Sequence, residues 1–180
     1  MNASSPIIVV EPHADDAFLS LGGHIEEWRK AKRDVLIVTV FSGTRKRAAD
    51  AAAYAAAAGA RWEGWGYVEG EPLPGTLPPL PGTSQVILPL ALTHPEHRTV
   101  REALERPGVW YYLDQPYAIT QKNGPLITDL LRGKSVVSYR KPGVRKYRHC
   151  PLFKDQAKFY HYNPPEKLVQ TCELIVENPE

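Results

Sequence analysis

An apolar run, Ile7-Ile8-Val9-Val10, leads through Glu11 and Pro12 straight into His13, Asp15 and Asp16. Imidazoles and carboxylates are metal ligands and proton carriers, and in this chain they stand where a buried strand ends. In an open parallel sheet the carboxyl ends of the strands border a crevice, where polar side chains converge on a ligand without disrupting the core. His13 and Asp16 are three residues apart at a strand-to-helix turn, so both can face one point while Asp15 projects to another side. His94 and His97 repeat that spacing across the first turn of a later helix, again directly after a strand. Two such turns at neighbouring strand ends make one site.

Two imidazoles and one carboxylate form a mixed nitrogen and oxygen donor set suited to zinc, and to iron, nickel or cobalt according to availability. A catalytic metal with positions left for water and substrate is the expectation. Such an ion polarises a carbonyl and lowers the pKa of water toward about 7, and a nearby carboxylate takes the proton. Asp15 is the natural candidate for that base. A plainer reading makes Asp15 and Asp16 helix caps that complement the dipole. Capping does not account for His13. Taken singly, His94 and His97 read as surface histidines beside a helix that starts at Pro95.

The elements that must position these groups alternate along the chain. Pro6 to Pro12 reads as a strand, and Ala17 to Lys32 as a helix whose Phe18, Leu21, Ile25 and Trp28 recur near a 3.6-residue period. Asp34 to Phe41 is a second β-branched run, followed by a helix from near Arg45 to Gly59. Arg61 to Val68 is expected as a third strand. Residues 69 to 84 are too rich in proline and glycine for regular structure and read as a long, mobile loop. Gln85 to Leu92 resumes as a strand, Thr93-His94-Pro95 opens a helix to about Arg106, and Val109 to Tyr117 and Ser135 to Arg140 have strand character. A helix near Leu152 to His161 and an extended tail complete the chain. This alternation predicts one three-layer α/β domain over residues 1–180 with a mostly parallel central sheet.

Composition sets the outer bounds. The 180 residues are 43% apolar and 23% charged, which suits one core, and a net charge of +2 does not point to nucleic acid as an obligatory partner. The N-terminus carries no basic leader and no apolar run approaches the ~18 residues needed to span a bilayer, so a soluble, cytoplasmic protein is expected. Cys150 and Cys172 lack the C-x-x-C spacing of a thiolate metal site and read as reduced, structural residues. His24 falls on the helix face marked by Leu21 and Ile25 and also reads as structural. The first turn lacks G-x-G-x-x-G and presents acids where a pyrophosphate needs amides, which argues against a dinucleotide.

Pro12-His-Ala-Asp-Asp16 after a strand, Leu21-Gly22-Gly23 in the next helix, Arg47-x-x-Asp50 ahead of Ala57-x-Gly59, and His94-Pro95-Glu96-His97 occur together and in order. The chain resembles the LmbE/PIG-L zinc-dependent N-deacetylases over about residues 7–105, and more weakly at 109–117 and around Lys154 to Tyr160. The resemblance implies a Rossmann-like fold, His13, Asp16 and His97 as zinc ligands, Asp15 as general base, and His94 as the group that assists the oxyanion or leaving amine. It also places Arg47 near the substrate, although Arg47 lies in a basic run that reads equally as a solvated face. Members of the family remove the acetyl group from N-acetylglucosamine units on small molecules, lipids or antibiotic precursors. Ala14, Ala17 and Asp50 stand where the family commonly has Pro, Glu and Glu. Those departures leave the ligand types intact.

The expected function is therefore deacetylation of a small-molecule amino-sugar conjugate. Hydrolysis of another amide or ester, and a catalytically silent carbohydrate-binding module, remain open alternatives, since a His/His/Asp site does not select its substrate by itself. Arg140, Lys141, Arg145, Lys146 and Arg148, interleaved with Tyr139 and Tyr147, form either a solvated basic loop or a grip for an anionic carrier.

Overall fold

The computed structural model describes residues 5–119, 123–140 and 173–178. Five strands and three helices alternate first: β1 (Ile7–Glu11), α1 (Asp16–Lys30), β2 (Val35–Thr39), α2 (Arg45–Ala58), β3 (Arg61–Gly64), β4 (Gln85–Pro89), α3 (Pro95–Leu104) and β5 (Trp110–Tyr112). A short 3-10 turn (Tyr117–Ile119), α4 (Gly124–Leu131), β6 (Ser135–Arg140) and β7 (Glu173–Glu177) follow. One seven-stranded sheet has the order β3-β2-β1-β4-β5-β7-β6. Its first five strands are parallel, and β7 runs antiparallel to both β5 and β6.

Because side chains alternate across a strand, each buried strand feeds two cores. Ile7, Val9 and Ile37 pack with Phe18, Leu21 and Ile25 of α1 and Tyr54 of α2 on one face. Ile8, Val10, Val38 and Leu88 pack with Val100 of α3 on the other, where Ile127 and Leu130 of α4 close the layer. Each fully buried aliphatic or aromatic side chain contributes roughly 1.5–3 kcal/mol. The continuous burial of β1 and β2 is what parallel strands covered on both sides require.

The topology also decides where a ligand can bind. From β1 the chain moves outward to β2 and β3, then returns past β1 to β4 and moves the other way. The crevice between the carboxyl ends of β1 and β4 is the switch point at which open α/β sheets bind ligands. Beyond the strand ends, Val40 N–H donates to Glu11 O (3.0 Å) and Phe41 N–H to Pro12 O (2.9 Å), which carries the pairing up to His13. On the other side of β2, residues 65–67 continue beside it: Trp65 N–H donates to Thr39 O and Gly43 N–H to Tyr67 O. A Cβ on Gly43 would lie 2.8 Å from Gly66 O and 2.9 Å from Tyr67 O, so only glycine permits that approach.

The strands are shorter than expected at several carboxyl ends. β3 stops at Gly64 rather than Val68, β4 at Pro89 rather than Leu92, and β5 at Tyr112 rather than Tyr117, although Leu113 N–H still donates to Leu174 O of β7. The helix α4 is an element the sequence reading lacks. Its Gly-Pro start looks like a break, yet Pro at the first turn of a helix costs no hydrogen bond. Residues 69–84 hold no regular element, as their composition predicts. No helix among the described residues is long and apolar enough to cross a membrane. The helix expected near Leu152 to His161, Cys150, Cys172, the resemblance around Lys154 to Tyr160 and the basic residues from Lys141 to Arg148 lie outside the described residues.

Candidate active site

The turns after β1 and β4 meet. His13 Nδ1, Asp16 Oδ2 and His97 Nε2 form a triangle with edges of 3.4, 3.2 and 3.3 Å. Tetrahedral zinc with bonds of about 2.0–2.1 Å separates its ligand atoms by about 3.3–3.4 Å, so these three atoms already stand as one face of such a site. His94 flanks the triangle, with its ring centroid 4.8 Å from that of His13 and 5.1 Å from that of His97. His13, His94 and His97 offer nitrogens within 4.8 Å of one another, a looser set that could also share an ion. The shorter edges single out Asp16 as the third member.

Local structure places each group. Asp15 occupies the N-cap position of α1, but its side chain makes no capping hydrogen bond, so the plain capping role is not the one it fills. Asp16 Oδ2 accepts the His13 amide at 2.8 Å, which locks the H-x-x-D turn. Pro95 starts α3 with His94 as its N-cap, and one turn of helix brings the fully buried His97 back under His94. His13 stacks on Phe41 at 5.7 Å, and the His97 ring meets Tyr117 edge-on at 5.4 Å. A cavity of about 140 Å³ opens over the triangle, lined by Asp15, Arg47, Glu69, His94 and Tyr117 among others.

The electrostatics are those of crowded imidazoles and carboxylates. Burial opposes the imidazolium of His13, but the hydrogen bond and charge of Asp16 outweigh it and push His13 up to about 9. Burial likewise opposes charge on His97, and Asp16, then Asp114, lift it to about 10. Burial pulls the other way on Asp16, yet the His97 charge and the His13 hydrogen bond hold it far below the usual carboxylate range. Asp15 is raised to about 6 by burial and by the neighbouring charge of Asp16. Burial and the charges of His13 and His97 depress His94.

Four further carboxyl groups lie at or beneath the site. Asp114, fully buried after β5, accepts the Leu92 amide at 2.6 Å and faces His97 Nδ1 at 3.7 Å, a charge contact rather than a hydrogen bond. Glu96 lies 2.7 Å from His13 Nε2 through one oxygen and accepts the Gly70 amide at 2.6 Å through the other. Glu69 meets Arg47 across 3.0 Å, so the guanidinium expected near the substrate is paired at the rim. Glu11, fully buried in β1, accepts the Ala17 amide at 2.9 Å and the Thr39 hydroxyl at 2.6 Å. Glu96 alone carried a signal, as part of His94-Pro95-Glu96-His97. Asp114 and Glu69 reach the site through sheet order and loop path, which spacing along the chain does not reveal.

No family model matches the chain, and no curated protein sequence matches it. Solved structures do. A deacetylase of the teicoplanin biosynthesis pathway, solved as a bog complex and in a zinc-inhibited form, aligns with TM-scores of 0.72 and 0.67 at 16% and 15% identity, in each case over 98% of this chain and 99% of that one. GalB, the 4-carboxy-2-hydroxymuconate hydratase from Pseudomonas putida KT2440, aligns at 0.62 and 13% identity over 98% and 97%. N,N'-diacetylchitobiose deacetylase from Pyrococcus horikoshii aligns at 0.52 and 15% identity over 98% and 84%. At these identities the likeness is one of fold, and the α/β architecture that the sequence resemblance implies is the one observed.

Proposed function

We propose that this chain is a metal-dependent hydrolase that removes the N-acetyl group from an N-acetylglucosamine-type amino-sugar conjugate. The observation that carries the reading is the donor triangle of His13, Asp16 and His97, with edges of 3.2–3.4 Å, beside a buried carboxyl that makes no capping bond. Those three residues would hold zinc, whose tetrahedral demands their separations match. When bound, the ion supplies a Lewis acid for the acetyl carbonyl and makes water a nucleophile near neutral pH.

The protein's own groups do the rest. Asp15, lifted to about 6, is ionised at neutral pH but close enough to it to accept the proton of the attacking water and return it to the departing amine. His94, held neutral by its depressed pKa, presents an N–H to the carbonyl oxygen as negative charge develops there. Asp114 orients His97, and Glu96 braces His13 from the opposite ring nitrogen. A cavity of about 140 Å³ has room for about four or five water molecules, which suits an acetamido group and leaves the sugar at the rim. There the Arg47–Glu69 pair offers a donor and an acceptor to sugar hydroxyls. Support for the amino-sugar class comes from the fold shared with the teicoplanin-pathway and chitobiose deacetylases.

The GalB likeness favours a second reading, addition of water across an unsaturated carboxylate at the same site. One experiment separates the two. Purified protein, with zinc restored, is offered N-acetylglucosamine conjugates and a conjugated unsaturated dicarboxylate, and acetate release and loss of the ultraviolet chromophore are followed together. Acetate alone supports deacetylation. Chromophore loss without acetate overturns it in favour of hydration, and neither product with tight sugar binding favours a silent module.

A further inference from the structure

We propose that Ser138, His24 and Glu173 form a second, metal-independent nucleophilic centre that reacts with small activated acyl and phosphonyl esters. The three side chains stand in a line. Glu173 Oε2 is 2.8 Å from His24 Nδ1, and His24 Nε2 is 2.8 Å from Ser138 Oγ. A carboxylate can only accept, so Nδ1 carries the ring proton and the Nε2 lone pair faces the serine hydroxyl. Nucleophile, base and an orienting acid in this sequence are the arrangement that activates a serine.

The fold holds the line rigidly at its acid end and leaves it accessible at the other. Glu173 is 1% exposed, and besides the imidazole it accepts the Gly23 amide at 2.8 Å and the His24 amide at 2.9 Å. Those contacts pin the carboxylate to the same turn of α1 that carries the base. Ser138 is partly exposed and sits at the register shift between Val136 and Ser138, the kind of bulge that re-aims a side chain. Two residues on and on the same face of β6, Arg140 is ion-paired with Glu27 of α1 and lies against Gly23, where a Cβ would come within 2.5 Å of its Nε. Gly23 is thus what lets the Arg140 guanidinium lie against α1, on the face of β6 that carries Ser138. His24 is eight residues beyond Asp16, about 12 Å further along α1 by helix rise, so this line is separate from the donor triangle.

The chemistry balances without a co-reactant. Ser138 Oγ forms a bond to the acyl carbon or phosphorus, its proton passes to His24 Nε2, and the leaving group departs with that proton or, as fluoride, without it. Water then cleaves an acyl-serine by the same route, and a phosphonyl-serine persists.

The test uses the full chain with its metal chelated, so the donor triangle takes no part. A fluorophosphonate probe is added, and the adduct is located by intact-mass and peptide mass spectrometry. The expected result is one adduct per chain, on Ser138, absent in Ser138→Ala. Glu173→Gln, which replaces the carboxylate behind His24 with a neutral amide, should label about a hundredfold more slowly, and thermal melts verify that both variants are folded. No adduct on folded wild type, an adduct on another residue, or equal labelling in Ser138→Ala overturns the proposal. If Glu173→Gln fails to fold, His24→Gln decides: labelling of that folded variant at the wild-type rate overturns the role of His24, and labelling about a hundredfold slower supports it.

Discussion

Two histidine and carboxylate clusters each draw one residue from α1, and their donors are arranged in opposite ways. At the start of α1, His13, Asp16 and His97 converge, with three ligand atoms each 3.2–3.4 Å from the other two. Three converging lone pairs favour positive charge among them, and Asp16 accordingly pushes His13 and His97 up to about 9 and 10 against the opposing effect of burial. Further along α1, Glu173, His24 and Ser138 run in single file, and each contact pairs one donor with one acceptor. Convergence calls for a cation, whereas a line can pass a proton. The same residue types thus have different chemistry according to whether they meet at a point or in a row.

Breaking the convergence should have the largest effect. His97→Ala removes one corner of the triangle, and metal measured by elemental analysis should fall from about one equivalent per chain to near none. A variant that retains its metal would mean that His97 is not a ligand, which rules out both the triangle and the looser set with His94, since His97 belongs to each. Asp15→Asn should do the reverse, with metal retained and kcat reduced by about 10²–10⁴, the usual worth of a general base. Retained turnover in that variant would remove Asp15 from the chemistry. Next in size is Asp114→Asn. It keeps the shape but loses the charge behind His97, and competition with a chelator should show metal affinity weakened by about 10–100-fold.

What could be read from the sequence follows the same division. His13, Asp16, His94 and His97 were legible because each pair sits within one turn of a helix that begins where a strand ends, a local spacing. The ends of α2 were legible because Thr44 and Gly59 cap it, the latter with φ of 72°. Asp114 and Glu69 were not legible, because the sheet order β1-β4-β5 and the path of residues 65–70 beside β2 bring them in. His24 read as structural from its helix face, and nothing near it in the chain announces Glu173, which is 149 residues away. The acid in β1 escaped notice for another reason. A charged residue at the end of an apolar strand looks like its exposed boundary, yet Glu11 is fully buried.

Glu11 sharpens the comparison through its isolation, since it lies beneath the convergent cluster without belonging to it. Burial raises its carboxyl from 4.5 to about 8, against the hydrogen bonds from Thr39 and Ala17. A folded value above the unfolded one means that the neutral form is favoured by folding. The stability it contributes is whole below about pH 4.5 and is lost as pH rises through about 8. Asp15, His13 and His97 slope the same way in chelated protein, so the total pH dependence cannot isolate Glu11. The difference between wild type and Glu11→Gln can, because the amide does not titrate and the other groups are common to both. Urea unfolding midpoints of the chelated proteins should therefore show wild type losing ground to the variant from pH 5 to pH 8. Parallel curves would mean that Glu11 is ionised in the folded protein, its charge balanced by the Ala17 amide and the Thr39 hydroxyl, and that the convergent site rests on a buried carboxylate.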